Sequence, residues 1–375
     1  MIYLDYSATT PVNEDVLDSF NKVTRNYIGN ANSLHKAGVL SKELMDAATL
    51  QVAKLLNVYD NEIIWTSGAS ESNNLALMGV IEKYKNRGKH IITTKLEHSS
   101  ILSTVDYLEK KGYIIDYVKI DDNGKVCLDD LKKLINDDTI LVSICEVNSE
   151  IGIIQDVQEI GRIVKDYPRC IFHVDGTQAV GKKEIDLTNI DLYSFSAHKI
   201  YGLKGIGCLI KKRHIELEPI IHGGKSQTIY RSGTPSLALI VSTSRALKFA
   251  INNLSDNYQK VLLLKSRLLE GLKDLNIHIN SDDNCVPNII NISVYNVKPE
   301  TMLHAMEAHD IYISTKTACS SDNSLSLSVL TKTKDSELAK SSIRVSLSYL
   351  TTNEEVDEFI KVFREEVVKL QGIRG

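Results

Sequence analysis

Between about residues 60 and 210, short apolar runs alternate with amphipathic stretches. The apolar runs are Glu62–Thr66, His90–Thr94, Tyr113–Ile120, Thr139–Cys145, Cys170–Val174, Leu192–Phe195 and Gly207–Ile210. Runs this short, apolar on both faces, predict strands of a buried sheet. The stretches between them, Ser70–Lys85, Ser99–Lys111, Leu128–Asn136 and Val157–Tyr167, predict covering helices. The alternation predicts an α/β fold with a mainly parallel sheet. In such sheets ligands bind beyond the carboxyl ends of the strands.

Upstream, Leu40, Leu44, Ala47, Ala48 and Val52 recur at helical spacing and predict one helix over 36–57. Residues 236–275 predict further helix. A second, smaller pattern follows. Asn288–Val294 predicts a strand, Pro299–His309 a helix, and Ile311–Ser314 a strand. Ser314–Asp335 predicts a polar loop rich in Ser, Thr and Lys, and Ser342–Ser348 another strand. The last helix is predicted to start near Thr352, where TTNEE forms a capping box.

The chain has 375 residues, with 43% hydrophobic and 25% charged side chains. That is the composition of a soluble globular protein, long enough for more than one domain. The net charge of −4 offers no basic stripe for a nucleic-acid backbone. No apolar stretch approaches the ~18 residues of a membrane span. MIYLDYSATT has no basic opening and carries Asp5 where a leader's apolar core would lie, so it is not read as a signal peptide. The six cysteines include no CxxC pair, so metal-site spacing is absent, and their scatter fits a reducing cytoplasm.

Two strings carry chemistry. HVDGTQ (His173–Gln178) ends one apolar run with Asp175, and SFSAHKIYG (Ser194–Gly202) ends the next with Lys199. A lysine for an aldehyde and a carboxylate for a ring nitrogen are what pyridoxal 5'-phosphate (PLP) needs. Either residue alone is ordinary: a solvated lysine, or an aspartate capping a turn. A third string, TSGASESNN (Thr66–Asn74), follows a strand and opens a helix. Gly68 permits a tight turn, and the amides of Ala69, Ser70 and Glu71 form an anion site backed by the helix dipole. RSGT (Arg231–Thr234) is a second small polar turn.

These strings, with LDYSATTP (Leu4–Pro11), GNANSLH (Gly29–His35), the Glu97–His98 pair, VNSEIG (Val147–Gly152), TACSS (Thr317–Ser321) and SIRVSLSYLTTNEEVD (Ser342–Asp357), resemble the cysteine desulfurases over nearly the whole chain. That family belongs to the class V, fold-type I PLP enzymes. The resemblance implies a large, mainly parallel seven-stranded sheet domain over 13–250, which binds PLP. It also implies a smaller α+β domain from 1–12 and 251–375, carrying the Cys319 loop. It implies a homodimer that takes L-cysteine, releases L-alanine and passes the sulfur to an acceptor protein.

The resemblance assigns roles by residue. Lys199 holds PLP and moves protons, Asp175 pairs with the pyridinium, and Gln178 bonds the ring hydroxyl. His98 stacks on the ring. Ala69, Ser70, Ser196 and His198 hold the phosphate, with Thr234 supplied by the second subunit. Arg344 and Asn30 bind the substrate. Ser149 stands where the family has an asparagine near the ring hydroxyl. Cys319 is the sulfur-accepting nucleophile. It sits among Ser314, Thr315, Lys316, Thr317, Ser320 and Ser321, with no apolar period to bury it, and Lys316 favours the thiolate. The other cysteines fit small buried hydrophobes.

Other departures from the family pattern are Leu203 for proline, HGGKSQTIY (His222–Tyr230) for a glycine-rich run, and Ser346–Tyr349 for Ser-Leu-Gly-Arg. They leave rivals open. One is a lyase of the same family acting on selenocysteine or cysteine sulfinate. The other is a weakly active scaffold subunit of a sulfur-transfer complex. The acceptor also stays open among an iron–sulfur scaffold, a tRNA-thiolation protein and a cofactor-biosynthesis carrier.

Overall fold

A computed structural model describes residues 1–315 and 325–372. In chain order the elements begin with β1 (Ile2–Tyr3), α1 (Glu14–Asn26) and α2 (Lys36–Leu55). The alternating region holds β2 (Ile63–Thr66), α3 (Ala69–Tyr84), β3 (His90–Thr93), α4 (Ser99–Lys110), β4 (Ile114–Tyr117), α5 (Leu128–Leu134), β5 (Thr139–Cys145), α6 (Val157–Lys165), β6 (Ile171–Asp175), β7 (Leu192–Ser196) and β8 (Gly207–Lys211). Then come α7 (Leu237–Asn252), α8 (Leu254–Leu272), β9 (Ile277–Ile279), β10 (Ile289–Val294), α9 (Pro299–Glu307) and β11 (Ile311–Tyr312). The chain closes with α10 (Leu327–Thr333), α11 (Ser336–Lys340), β12 (Ser342–Ser346) and α12 (Asn353–Gly372).

The alternating strands form one seven-stranded sheet in the order β2-β8-β7-β6-β5-β3-β4. It is parallel except at β8, which runs antiparallel to both neighbours. Side chains of one strand face opposite ways. Val142, Phe172, Tyr193 and Cys208 pack on one face with Met45, Val52, Ile160 and Leu247 of α2, α6 and α7. Leu141, Ile171, Leu192 and Leu209 pack on the other with Leu75, Val80, Ile101 and Val105 of α3 and α4. Burial on both faces is why these strands read as unbroken apolar runs. Each such side chain stabilises the fold by about 1.5–3 kcal/mol.

A second, antiparallel sheet runs β12-β10-β9. Its core joins Leu4 to residues of α8, β10, α9, β12 and α12, among them Leu264, Ile292, Met302, Ile343 and Phe359. β1 pairs in parallel with β11, so the start of the chain is fastened beside this core. The expected capping box holds: Thr352 N–H donates to Glu355 Oε2, and Glu355 N–H to Thr352 Oγ1. No helix among the described residues is long and apolar enough to cross a membrane.

One expectation needs correction and a second, the further helix over 236–275, holds and is refined. The stretch 314–335 is not all loop, because α10 and its cap lie inside it. Ser326 caps α10 by accepting from Val329 N–H, and Val329 packs against Ile151 and Ile153, a tertiary contact that overrides a polar local sequence. The helix expected over 236–275 is two helices, α7 and α8, broken at Asn253.

Candidate active site

A cavity of about 610 Å³ lies where the carboxyl ends of β5, β6 and β7 meet the starts of α3 and α4. It borders the switch point between β3 and β5, where strand order reverses. Asp175 and Ser194 are register partners on β6 and β7, so the turn after β7 carries Lys199 into the cavity beside Asp175. Gly176 must be glycine, because a Cβ there would come within 1.9 Å of the Tyr193 ring.

The Lys199 turn is clamped by the start of the chain. Thr10 Oγ1 donates to His198 O (3.0 Å) and accepts from Tyr201 N–H (2.8 Å). Tyr201 sits at φ 63°, a left-handed conformation that costs of order 1–3 kcal/mol and is tolerated here at the site. Lys199 Nζ donates to Ser7 O (2.5 Å) and Ala8 O (2.7 Å). The LDYSATTP string thus positions the lysine, which its sequence did not disclose.

Asp175 is buried. Its Oδ2 accepts from Asn73 Nδ2 (2.8 Å) and its Oδ1 from Thr177 N–H (3.0 Å). Asn73 Nδ2 also donates to Ser100 Oγ (2.9 Å), which bonds His98 Nδ1 at 2.9 Å. His98 caps α4 by accepting from Ser100 N–H at its Nδ1. An accepting Nδ1 leaves the neutral ring's proton on Nε2. Burial pushes the His98 pKa down, against the pull of Asp175.

At the start of α3 no side chain caps the helix, which leaves first-turn amides for an anion. Gly207 lets β8 approach this turn closely, since a Cβ there would meet Gly68 Cα at 2.6 Å. Glu71 braces the turn, accepting from Ser67 N–H (2.7 Å) and Arg231 Nε (2.9 Å). Burial works against the Glu71 carboxylate, but Arg231 and Ser67 outweigh it and hold its pKa low. Ala69, Ser70, Ser196 and His198 all line the cavity. His198 Nδ1 lies 3.2 Å from Thr9 Oγ1. Burial, with Lys199, Lys204 and Lys182 nearby, drives the His198 pKa down to about 4, so the ring is neutral.

Arg344, on β12, reaches the cavity almost fully buried. Its Nη1 donates to Ser149 O (2.9 Å) and its Nη2 to Asp5 Oδ1 (2.8 Å), while Nε has no partner among the described residues. Ser149 also lines the cavity. Gln178 Nε2 donates to Ser7 O (2.9 Å), and its Oε1 is buried without a partner among the described residues. Behind the wall, Glu97 Oε1 accepts from Thr94 Oγ1 (2.6 Å) and Cys145 N–H (3.0 Å), and Oε2 has no partner among the described residues. Burial raises the Glu97 pKa to about 8. Cys145 was expected to be plain core. It does touch the cavity, but burial first, then Glu97 and Asp175, raise its thiol pKa far above the reactive range.

Among the described residues, Asn30 and Thr234, the latter expected from a second subunit, do not line this chain's cavity. Asn30 is exposed, and its Oδ1 accepts from Asn32 N–H and Nδ2. Thr234 is exposed and does not line the cavity of its own chain. Cys319 lies outside the described residues. Conversely, Asn73 and Asp5 stand within quoted strings and Ser100 within the predicted helix Ser99–Lys111, yet nothing in their spacing marks them as partners of Asp175, His98 and Arg344. Of the departures, Tyr349 is absorbed into packing. Its ring lies 4.6 Å from that of Tyr201 and 5.8 Å from that of Phe249.

The donor set fits PLP. An uncapped helix start and the close approach at Gly207 suit a phosphate. Asp175, fixed on both oxygens, suits a ring nitrogen, and Lys199 suits an aldehyde.

The aminotransferase class-V family model matches residues 2–359. A protein of Vibrio vulnificus strain YJ016 named cysteine desulfurase IscS is 42% identical over 383 residues, covering 99% of this chain and 94% of its own. Among solved structures, a NifS-like protein superposes with a TM-score of 0.93 at 37% identity, covering 98% of this chain and 99% of its own. A NifS-like protein from Rickettsia africae ESF-5 gives 0.87 at 31%, with coverage of 98% and 99%. With a family model matching nearly its whole length and this cavity at its sheet ends, the chain belongs to the class-V aminotransferase family.

Proposed function

We propose that this protein is a PLP-dependent cysteine desulfurase, converting L-cysteine to L-alanine and passing the sulfur through Cys319 to an acceptor protein. The reading is carried by one arrangement: Lys199 and Asp175 at adjacent strand ends, in one cavity with His98 and a buried Arg344. When bound, the cofactor supplies an electron sink for the bonds around the substrate Cα.

The chain supplies the rest. Lys199 holds the cofactor and, once released, accepts the Cα proton; the Ser7 and Ala8 carbonyls are placed to hold its ammonium. Asp175, held at both oxygens by Asn73 and Thr177, would pair with the ring nitrogen. His98 covers the ring and Gln178 bonds its hydroxyl. Ala69, Ser70, Ser196 and His198 take the phosphate. Arg344 takes the substrate carboxylate in a forked pair, its unpartnered Nε being one donor. The Cys319 thiolate attacks the substrate sulfur. The S–S bond forms as Cβ–S breaks, and the Cβ carbanion takes a proton on the way to alanine.

We further propose 13–250 as the cofactor-binding domain, with 1–12 and 251–375 as the smaller one. A second copy completes the site through Thr234. Exposed Ile28, Leu34 and Leu40, with Ile220, Ile221 and Ile229, support such a partner. Free cysteines such as Cys127 and Cys170 suit a reducing cytoplasm. An anaerobic assay of the PLP-loaded protein with L-cysteine and reductant tests the function. Equal amounts of alanine and sulfide are expected, and release of neither would refute it.

A further inference from the structure

Glu71 is an awkward neighbour for a phosphate. Its residue lines the cavity beside Ala69 and Ser70, in the first turn of α3. A first-turn carboxylate normally gains from the positive end of the helix dipole. Here that same end has to serve a phosphate carrying about two negative charges, which a bare Glu71 would repel.

Arg231 answers that charge. Its Nε donates to Glu71 Oε1 at 2.9 Å and its Nη2 to Oε2 at 3.4 Å, so the guanidinium faces both carboxylate oxygens. The two side chains are only 22% and 11% exposed, so salt and water screen the pair little. Arg231 does not itself line the cavity, and it meets a ligand there only through Glu71. The segment carrying Arg231 also holds the other end of this turn. β2 is an edge strand, and its Trp65 N–H donates to Gln227 Oε1 at 2.9 Å. Arg231 N–H donates to Thr228 Oγ1 at 3.2 Å. Gln227 and Thr228 belong to the 222–230 stretch that departs from the family pattern, so that stretch braces the β2–α3 turn.

We propose that Arg231 is a positioning residue that cancels the charge of Glu71, and that the pair sets the preference of the α3 start for a phosphorylated ligand. Glu71 fixes the turn by accepting from Ser67 N–H at 2.7 Å. With Arg231 in place, that brace adds no net negative charge beside the phosphate. This deepens the phosphate role proposed for Ala69 and Ser70 and rests on it.

The test measures binding of PLP, and of pyridoxal, which lacks the phosphate, to cofactor-stripped full-length protein by equilibrium dialysis. Arg231→Met removes the cation. Glu71→Gln removes the anion, while its amide oxygen can still accept from Ser67 N–H. A bare charge near a phosphate changes affinity by on the order of tenfold after screening. PLP binding is expected to weaken roughly tenfold in Arg231→Met, to tighten in Glu71→Gln and to return to near wild type in the double variant. Pyridoxal binding is expected to stay unchanged in all three. A merely structural bridge would weaken both ligands alike and leave the double variant as poor as Arg231→Met. Either result overturns the proposal, as do unchanged PLP affinities. If Arg231→Met does not fold, Glu71→Gln decides: tighter PLP binding supports the pairing, and equal or weaker binding overturns it. A wild type that binds PLP no tighter than pyridoxal refutes the phosphate role of the α3 start, and this proposal with it; a selective wild type with unmoved variants refutes the proposal alone.

Discussion

Asn73 and Asp175 are joined by a 2.8 Å hydrogen bond from Nδ2 to Oδ2, although one lies in the early part of α3 and the other ends β6. The same amide donates to Ser100, so one side chain orients the Asp175 carboxylate and, through Ser100, His98, the two groups proposed to hold the cofactor ring. Asn73→Ala breaks both links. Hydrogen bonds to charged groups are worth about 1.5–3 kcal/mol, so PLP retention is expected to weaken by roughly tenfold or more. Equilibrium dialysis of PLP checks this, and unchanged retention would show that Thr177 alone fixes Asp175.

The same network fixes a tautomer. His98 is expected to be neutral with its proton on Nε2 throughout the range above pH 6.5. Nitrogen-15 shifts of labelled histidine, assigned with His98→Gln, read this directly. A protonated Nδ1 would contradict the hydrogen bond from Ser100 N–H.

Glu97 makes stability depend on pH. Its folded pKa of about 8 exceeds the ordinary 4.5, so the folded protein keeps a proton that the unfolded chain releases between those values. Stability from this group is full below about 4.5, falls as pH rises, and stops falling above about 8. Buried His173, lowered to about 4, acts oppositely but only below 6.5. Between 6.5 and about 8, Glu97→Gln is therefore expected to gain stability over wild type, by on the order of 1 kcal/mol per pH unit. Urea unfolding at several pH values measures it. A constant difference would mean that Glu97 is ionised in the fold.

Arg344 is held at two nitrogens by Ser149 O and Asp5. A lysine cannot keep both contacts and also offer a fork to a substrate carboxylate. Arg344→Lys is expected to raise KM for L-cysteine about tenfold or more, with PLP content unchanged. An unaltered KM would place the carboxylate elsewhere.

Much of the large sheet was legible in the sequence, because burial on both faces leaves unbroken runs such as Thr139–Cys145, whose observed bounds match. The misses have physical reasons. β1 and β9 are too short for a period to emerge. α1 buries only Val16 and Val23, a face too thin to stand out. α10 exists through contacts with Ile151 and Ile153 that its polar sequence does not announce. At the site, Lys199 and Asp175 stood out because strand ends and motif strings coincide there. The partners Asn73, Ser100 and Asp5 did not, since Asn73 reaches Asp175, Ser100 is reached by Asn73 and Asp5 meets Arg344, each across a long stretch of chain.

The central claim is a division of labour, with Lys199 moving protons and Cys319 accepting sulfur. The most direct measurement adds one equivalent of L-cysteine to PLP-loaded protein without reductant, traps thiols with an alkylating reagent, and analyses peptides by mass spectrometry beside an alanine assay. The account predicts one added sulfur atom on Cys319 for each alanine formed in the wild type. It predicts none in Cys319→Ser, which still binds PLP and L-cysteine, and no alanine from Lys199→Ala. Stoichiometric alanine with no sulfur on Cys319, or near-wild-type sulfide release from Cys319→Ser once reductant is added, would contradict it.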